Sequence, residues 1–192
     1  MPARGSSLSC ADHDRGVRPV IRFLFIGALA FAGACTQQQA GRCDFTHSRE
    51  IAFSGGAEPD RVTVRTFGVA CDKAIGLYEI ADGEGHPIWA WASPLPRAFG
   101  DVFTADEPER VEAFLEEWSQ PAVETTSSAP PFGELYPGQT TLDELTYADI
   151  QARDLPMLCH FSGTARQTCV FWEPAAGGAG HFFDRDVEET VE

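Results

Sequence analysis

"PMLCHFSGTARQTCVFWEP", residues 156 to 174, is the stretch from which the fold is read. Two apolar runs flank a polar loop, the pattern of a β-hairpin. If Cys159 faces Cys169, the same register sets His160 opposite Thr168 and Phe161 opposite Gln167. Facing positions on paired strands are close enough for a cross-strand disulfide. That bond would leave Cys43 and Cys71 to pair with each other, one of the three connectivities that four cysteines allow.

Upstream lie further strand patterns. "REIAF" at 49 to 53 reads as a first strand, and "RVTVRTFGV" at 61 to 69 alternates, with Val62 and Val64 on one face and Thr63, Arg65 and Phe67 on the other. "AIGLYEIA" at 74 to 81 and "PIWAWAS" at 87 to 93 flank "DGEGH", a loop of hairpin length. Trp89 and Trp91 share a face of the second of these, so they serve either as core or as a sugar-stacking surface. "PERVEAFLEEWSQ" is a helix. Val111, Phe114, Leu115 and Trp118 form its apolar stripe, Asp106 or Thr104 is its expected cap, and Pro121 ends it. Residues 121 to 139 carry four Pro and no period, and read as a long loop. Thr141 with Glu144, and Thr146 with Asp149, predict two short helical pieces over 142–146 and 147–154. Strands and helices without a βαβ rhythm give the expectation of an α+β fold: one antiparallel sheet of about five strands with two or three short helices, stapled by disulfides.

At the other end of the chain, the apolar run from Phe23 to Ala34 spans twelve residues. A bilayer needs roughly 20, so the run is too short to cross but matches a signal-peptide core, with Arg15, Arg18 and Arg22 before it and small residues after. The stretch Ala32-Gly33-Ala34-Cys35 resembles the signal of bacterial lipoproteins, with Ala32 where that family usually has Leu. The resemblance implies that Cys35 is acylated and becomes the first residue of the mature protein. The same three residues also read as an ordinary A-x-A cleavage site. Cysteine arithmetic separates the two readings. Of six Cys, Cys10 is removed with the leader and five remain, an odd set for an exported protein; acylating Cys35 leaves four to pair. The organisation expected is a leader over 1–34, whose polar first sixteen residues raise the possibility of a true start at Val17 or Val20, an acylated end and polar tether over 35–44, and one α+β domain over 45–192. The corresponding location is the cell envelope, lipid-anchored at the outer membrane and facing the periplasm.

Residues 35 to 192 carry 10 Arg and Lys against 27 Asp and Glu, a net charge of −17. No basic stripe is present, which argues against nucleic acid as a partner. Anionic lipid would repel such a surface, so membrane attachment rests on the acyl anchor, and basic envelope proteins are the favoured partners. No cofactor or metal is expected. The nine residues between Cys159 and Cys169 do not suit zinc, even with His160 and His181 in the sequence, and no G-x-S-x-G or S-x-x-K motif occurs. The side chains singled out for binding are His160, Arg166, Trp172, Glu173 and His181, the last three within "WEPAAGGAGHFFDRD", a Gly/Ala-rich stretch read as a binding lip. Three functions follow in order of preference: an envelope lipoprotein acting by protein contact as a binding or inhibitory module; a periplasmic module for a glycan or small molecule; and a hydrolase using His160, His181 and Glu173.

Overall fold

The structure is a computed structural model that describes residues 43–187. Cys35, the leader and most of the tether lie outside the described residues. Two four-stranded antiparallel sheets replace the single sheet of about five strands expected from the sequence. The first is a meander of β1 (Thr46–Ile51), β2 (Asp60–Phe67), β3 (Ile75–Ala81) and β4 (Pro87–Pro94). The second comprises β5 (Val123–Thr125), β6 (Pro156–Gly163), β7 (Arg166–Glu173) and β8 (Gly178–Asp186), also in chain order. Three helices accompany them: α1 (Leu95–Phe99), α2 (Pro108–Trp118) and α3 (Glu144–Ala152).

Alternation explains the first sheet. Val62, Val64 and Thr66 of β2 and Tyr78 and Ile80 of β3 turn to one face and are fully buried. Gly76 continues that face where α1 crosses it. A Cβ there would sit 2.7 Å from Leu95 Cδ2, so the absence of a side chain is what lets Leu95 close the core. Trp89 and Trp91 pair with Ile80 and Tyr78 and so point inward too. Both belong to the core, although neither is fully buried.

The second sheet lies in the middle of the molecule, and each of its faces is covered. Leu158, His160 and Val170 meet the first sheet, where the His160 ring stacks on Tyr78 at 4.2 Å. Met157, Cys169, Phe171, Phe182 and Phe183 form a second core with Tyr147 and Ile150 of α3. A bulge makes this possible. Cys169 pairs with Phe183 and Val170 with His181, so Phe182 is an extra residue, and both neighbouring phenylalanines are buried.

The two disulfides join Cys43 to Cys71 and Cys159 to Cys169, and the β6–β7 register pairs His160 with Thr168 and Phe161 with Gln167. Other elements depart from expectation. The 121–139 segment contains β5 and is held down by Thr126, whose hydroxyl donates to the Ile150 carbonyl and accepts from the Leu155 N–H. The 142–154 stretch holds one helix, α3, rather than two, capped by Asp143, which accepts the Thr146 N–H at 2.9 Å. The Gly/Ala-rich lip is no loop: it holds the end of β7 at Trp172 and Glu173, a four-residue turn over 174–177, and strand β8. On α2 the stripe is as read, with Val111, Leu115 and Trp118 buried, but Asp106 accepts the Cys71 N–H instead of capping the helix.

Candidate functional site

His160 does not face solvent. It is 2% exposed, and both ring nitrogens are engaged: Nε2 accepts the Trp89 indole N–H at 3.2 Å, and Nδ1 lies 3.0 Å from the Phe161 carbonyl oxygen. A carbonyl only accepts, so Nδ1 carries the proton and Nε2 its lone pair. The neutral imidazole is the form that satisfies all four groups. Burial pushes its pKa down to about 4, against smaller opposing effects from the Phe161 carbonyl and the Asp184 charge. This histidine is a core residue whose polar atoms join two strands across the sheets.

A polar cluster does form around Asp184. Its carboxylate accepts from the Arg166 guanidinium at 2.7 Å and the Thr168 hydroxyl at 2.7 Å, and lies 3.5 Å from His181 Nε2. Thr168 in turn lies 2.9 Å from the Ser162 hydroxyl. Burial alone would raise the Asp184 carboxyl, but hydrogen bonds from His181, Thr168 and Arg166 outweigh it and hold the group well below the usual carboxylate range. The structure therefore brings together Arg166 and His181 of the expected binding residues, around a carboxylate that already accepts from Arg166 and Thr168.

Glu173 is elsewhere. It sits five residues along β7 from Thr168, roughly 16 Å at the usual strand rise, and grips Arg153 with two hydrogen bonds of 2.7 Å. Hydrogen bonding from Arg153 lowers its pKa and keeps it ionised. His160, His181 and Glu173 thus do not converge on a reacting atom, and the geometry that acid–base hydrolysis requires is not assembled. Trp172, also on β7, borders a different feature: a shallow open dish between the 54–58 and 82–84 turns, with Glu58 and Glu84 on its rim.

An aromatic-lined concavity was not anticipated from the sequence. Phe99 of α1, Val102 and Phe103 beyond it, Phe114 and Trp118 of α2, and Phe161 of β6 line a socket of about 200 Å³. The rings hold one another: Phe114 meets Phe99 and Phe103 edge-on, at 4.9 and 5.1 Å between centroids, and stacks on Trp118 at 5.2 Å. Trp118 is fixed by its indole N–H, which donates to the Phe161 carbonyl at 3.0 Å. Past Glu117, Trp118 and Phe161, which both hollows share, a second hollow of about 130 Å³ continues toward Glu124, Gln167 and Arg185. Together they make one groove where Phe114, Glu117 and Trp118 of α2 meet β6. The only signal for it in the sequence was Phe114, whose place in the helical stripe says "apolar" without saying "half-exposed". Among the described residues no group of three or more His, Cys, Asp or Glu side chains is placed to hold a metal, and no helix is long and apolar enough to cross a membrane. No protein-family model, no characterised protein and no solved structure matches the chain.

Proposed function

We propose that the chain is a cell-envelope lipoprotein, anchored through Cys35 at the outer membrane and facing the periplasm, whose folded domain acts by binding another protein. The observation that carries this reading is the aromatic socket, not the open dish beside Trp172, whose volume of about 410 Å³ falls within the range of small-molecule sites. Small-molecule sites usually enclose about 300–1,000 Å³, whereas the aromatic socket holds about 200 Å³ and lies open in a groove. A cavity of roughly 150 Å³ accommodates one benzene ring, so the socket suits a single inserted side chain rather than a whole ligand. Exposed apolar side chains at Phe67, Val69 and Ile75, on the first sheet and just past the end of β2, add surface of the kind partners cover. The two disulfides support an oxidising compartment.

Two measurements test the proposal. Mass spectrometry of the protein from its native envelope is expected to show acyl chains on Cys35 and no residues 1–34, and a Cys35→Ser variant should leave the membrane fraction. Crosslinking in that envelope should capture a protein partner. An unacylated Cys35 refutes the anchor, and a domain that captures no protein refutes the contact role.

Glycan binding is a second reading, favoured by one feature: the open dish that sets Trp172 beside Glu58 and Glu84. An indole flanked by carboxylates can stack on a sugar and accept its hydroxyls. Titration with soluble peptidoglycan fragments should then quench tryptophan fluorescence, and Trp172→Ala should abolish the response.

A further inference from the structure

We infer that the groove between α2 and β6 is the docking site for a basic protein segment, which inserts one apolar side chain into the aromatic socket and sets a Lys or Arg against Glu117. This rests on the protein-contact reading above and names the site and the chemistry of the partner.

Three observations converge. First, the socket is rigid before anything enters it. Phe99, Phe103 and Trp118 are 3% exposed or less and hold each other edge-to-face, and Trp118 is tied to β6 by its indole hydrogen bond. A preformed apolar pocket at the centre of a contact surface is where binding energy concentrates, because an anchor filling it loses little freedom. Second, the volume selects the anchor. About 200 Å³ takes one Phe, Leu or Met side chain. Third, the rim carries a sign. Glu117 borders both hollows and makes no ion pair among the described residues, and Glu124 borders the second; Glu109, Glu112 and Glu116 line neither hollow but add exposed negative charge to the helix, against a single Arg110 engaged by Glu107. Arg185, at the far end of the second hollow, keeps its charge while its Nε donates to Gln167 at 2.8 Å, so the unpaired negative charge beside the socket is that of Glu117. An acidic partner would meet uncompensated carboxylates, whereas a basic one would meet an unpaired acceptor next to its anchor.

The test uses the full chain in its native membrane. A photocrosslinking amino acid is placed at Thr164, which lines the socket and is exposed, and in a second strain at Val69, which is 77% exposed on the first sheet's side. The expected result is a crosslink from Thr164 to a protein peptide that holds an apolar residue within two positions of a Lys or Arg. Glu117→Lys should cut its yield about tenfold, since a rim charge is reversed at no cost to packing. Crosslinks from Val69 but not Thr164 would overturn the groove and leave the protein-contact reading standing. Failure at both positions would overturn both. A crosslinked peptide with no basic residue, a lipid adduct, or a yield indifferent to Glu117→Lys would overturn the inference alone.

A second measurement is independent of the partner. The purified full chain is titrated with the synthetic peptides Gly-Lys-Phe-Lys-Gly and Gly-Glu-Phe-Glu-Gly while the Trp118 indole N–H resonance is followed. The basic peptide should shift that signal and bind about tenfold more tightly than the acidic one. Equal affinities, or no shift with either peptide, would refute the inference.

Discussion

Acidification should weaken this domain well before its carboxylates protonate, because His160 must stay neutral to keep its place. Its folded pKa of about 4 lies below the value of 6.5 that it has when unfolded. The unfolded chain therefore takes up a proton between pH 6.5 and 4 that the folded one refuses. The contribution of the neutral imidazole is complete above pH 6.5 and is lost as the pH falls toward 4. The interval of about 2.5 units corresponds to about 3.5 kcal/mol at ~1.4 kcal/mol per unit, a large share of a typical domain's stability of about 5–15 kcal/mol. The same proton would also remove the acceptor for the Trp89 indole. The assay is urea unfolding at intervals from pH 7.5 to 4.5, disulfides intact, for the wild type and for His160→Gln. The variant starts less stable but should lose about 2–3 kcal/mol less than the wild type across the range. The carboxylate closest to this histidine electrostatically, Asp184, is held low by its own hydrogen bonds, so its loss belongs to a more acidic window. Parallel curves for the two proteins between pH 7 and 4.5 would refute the reasoning.

Other expectations concern the frame. Replacing Cys43 and Cys71 together by Ala should cost roughly 3.6 kcal/mol and replacing Cys159 and Cys169 roughly 2.7 kcal/mol, since the closed loops span separations of 28 and 10 residues; calorimetry that reverses this order would contradict the chain-entropy account. The Tyr78 hydroxyl is buried with no protein partner among the described residues, and burial raises its pKa far above the usual phenol range. Tyr78→Phe should therefore leave stability unchanged or raise it by up to about 1 kcal/mol in denaturant unfolding, and a clear loss would reveal a hydrogen bond at that oxygen. At Gly68 a Cβ would fall 2.7 Å from the Ala74 Cα and 2.9 Å from the Ala70 carbonyl, both backbone atoms. Gly68→Ala should accordingly lower stability by about 2 kcal/mol or more, and a neutral result by thermal melting would mean that this turn yields.

Much of the first sheet was legible in the sequence because β2 and β3 each bury one face and leave the other toward solvent. The alternation of β2 and the pairing of Cys159 with Cys169 are local patterns that tertiary structure did not overrule. What escaped reading lacked such a pattern. β8 runs Gly-Ala-Gly before two adjacent phenylalanines, and a bulge, invisible to any period-two template, is what buries both. β5 is three residues long and is fixed by Thr126 reaching across to Ile150 and Leu155, contacts distant in sequence. The one-sheet expectation failed for a related reason: β6 and β7 are apolar on both faces, which marks a middle layer, and a single sheet with one wet side has no use for that. As for the site, residues chosen for their chemistry scattered. Glu173 found Arg153 and His160 found Trp89, because partners of buried or charged groups are set in space and not in sequence. The aromatic groove was hidden because its walls come from α1, α2 and β6.

The Cys43–Cys71 bond has a mechanical consequence. Tension arriving from the N-terminal side reaches Cys43 first, three residues before β1 begins. From there the covalent path leaps to Cys71, so the first hairpin hangs inside a closed ring and bears no load along its length. A pull that would otherwise unzip the outermost strand is delivered past it, to the segment leading into β3. A domain moored from that end can be tugged without its edge peeling away.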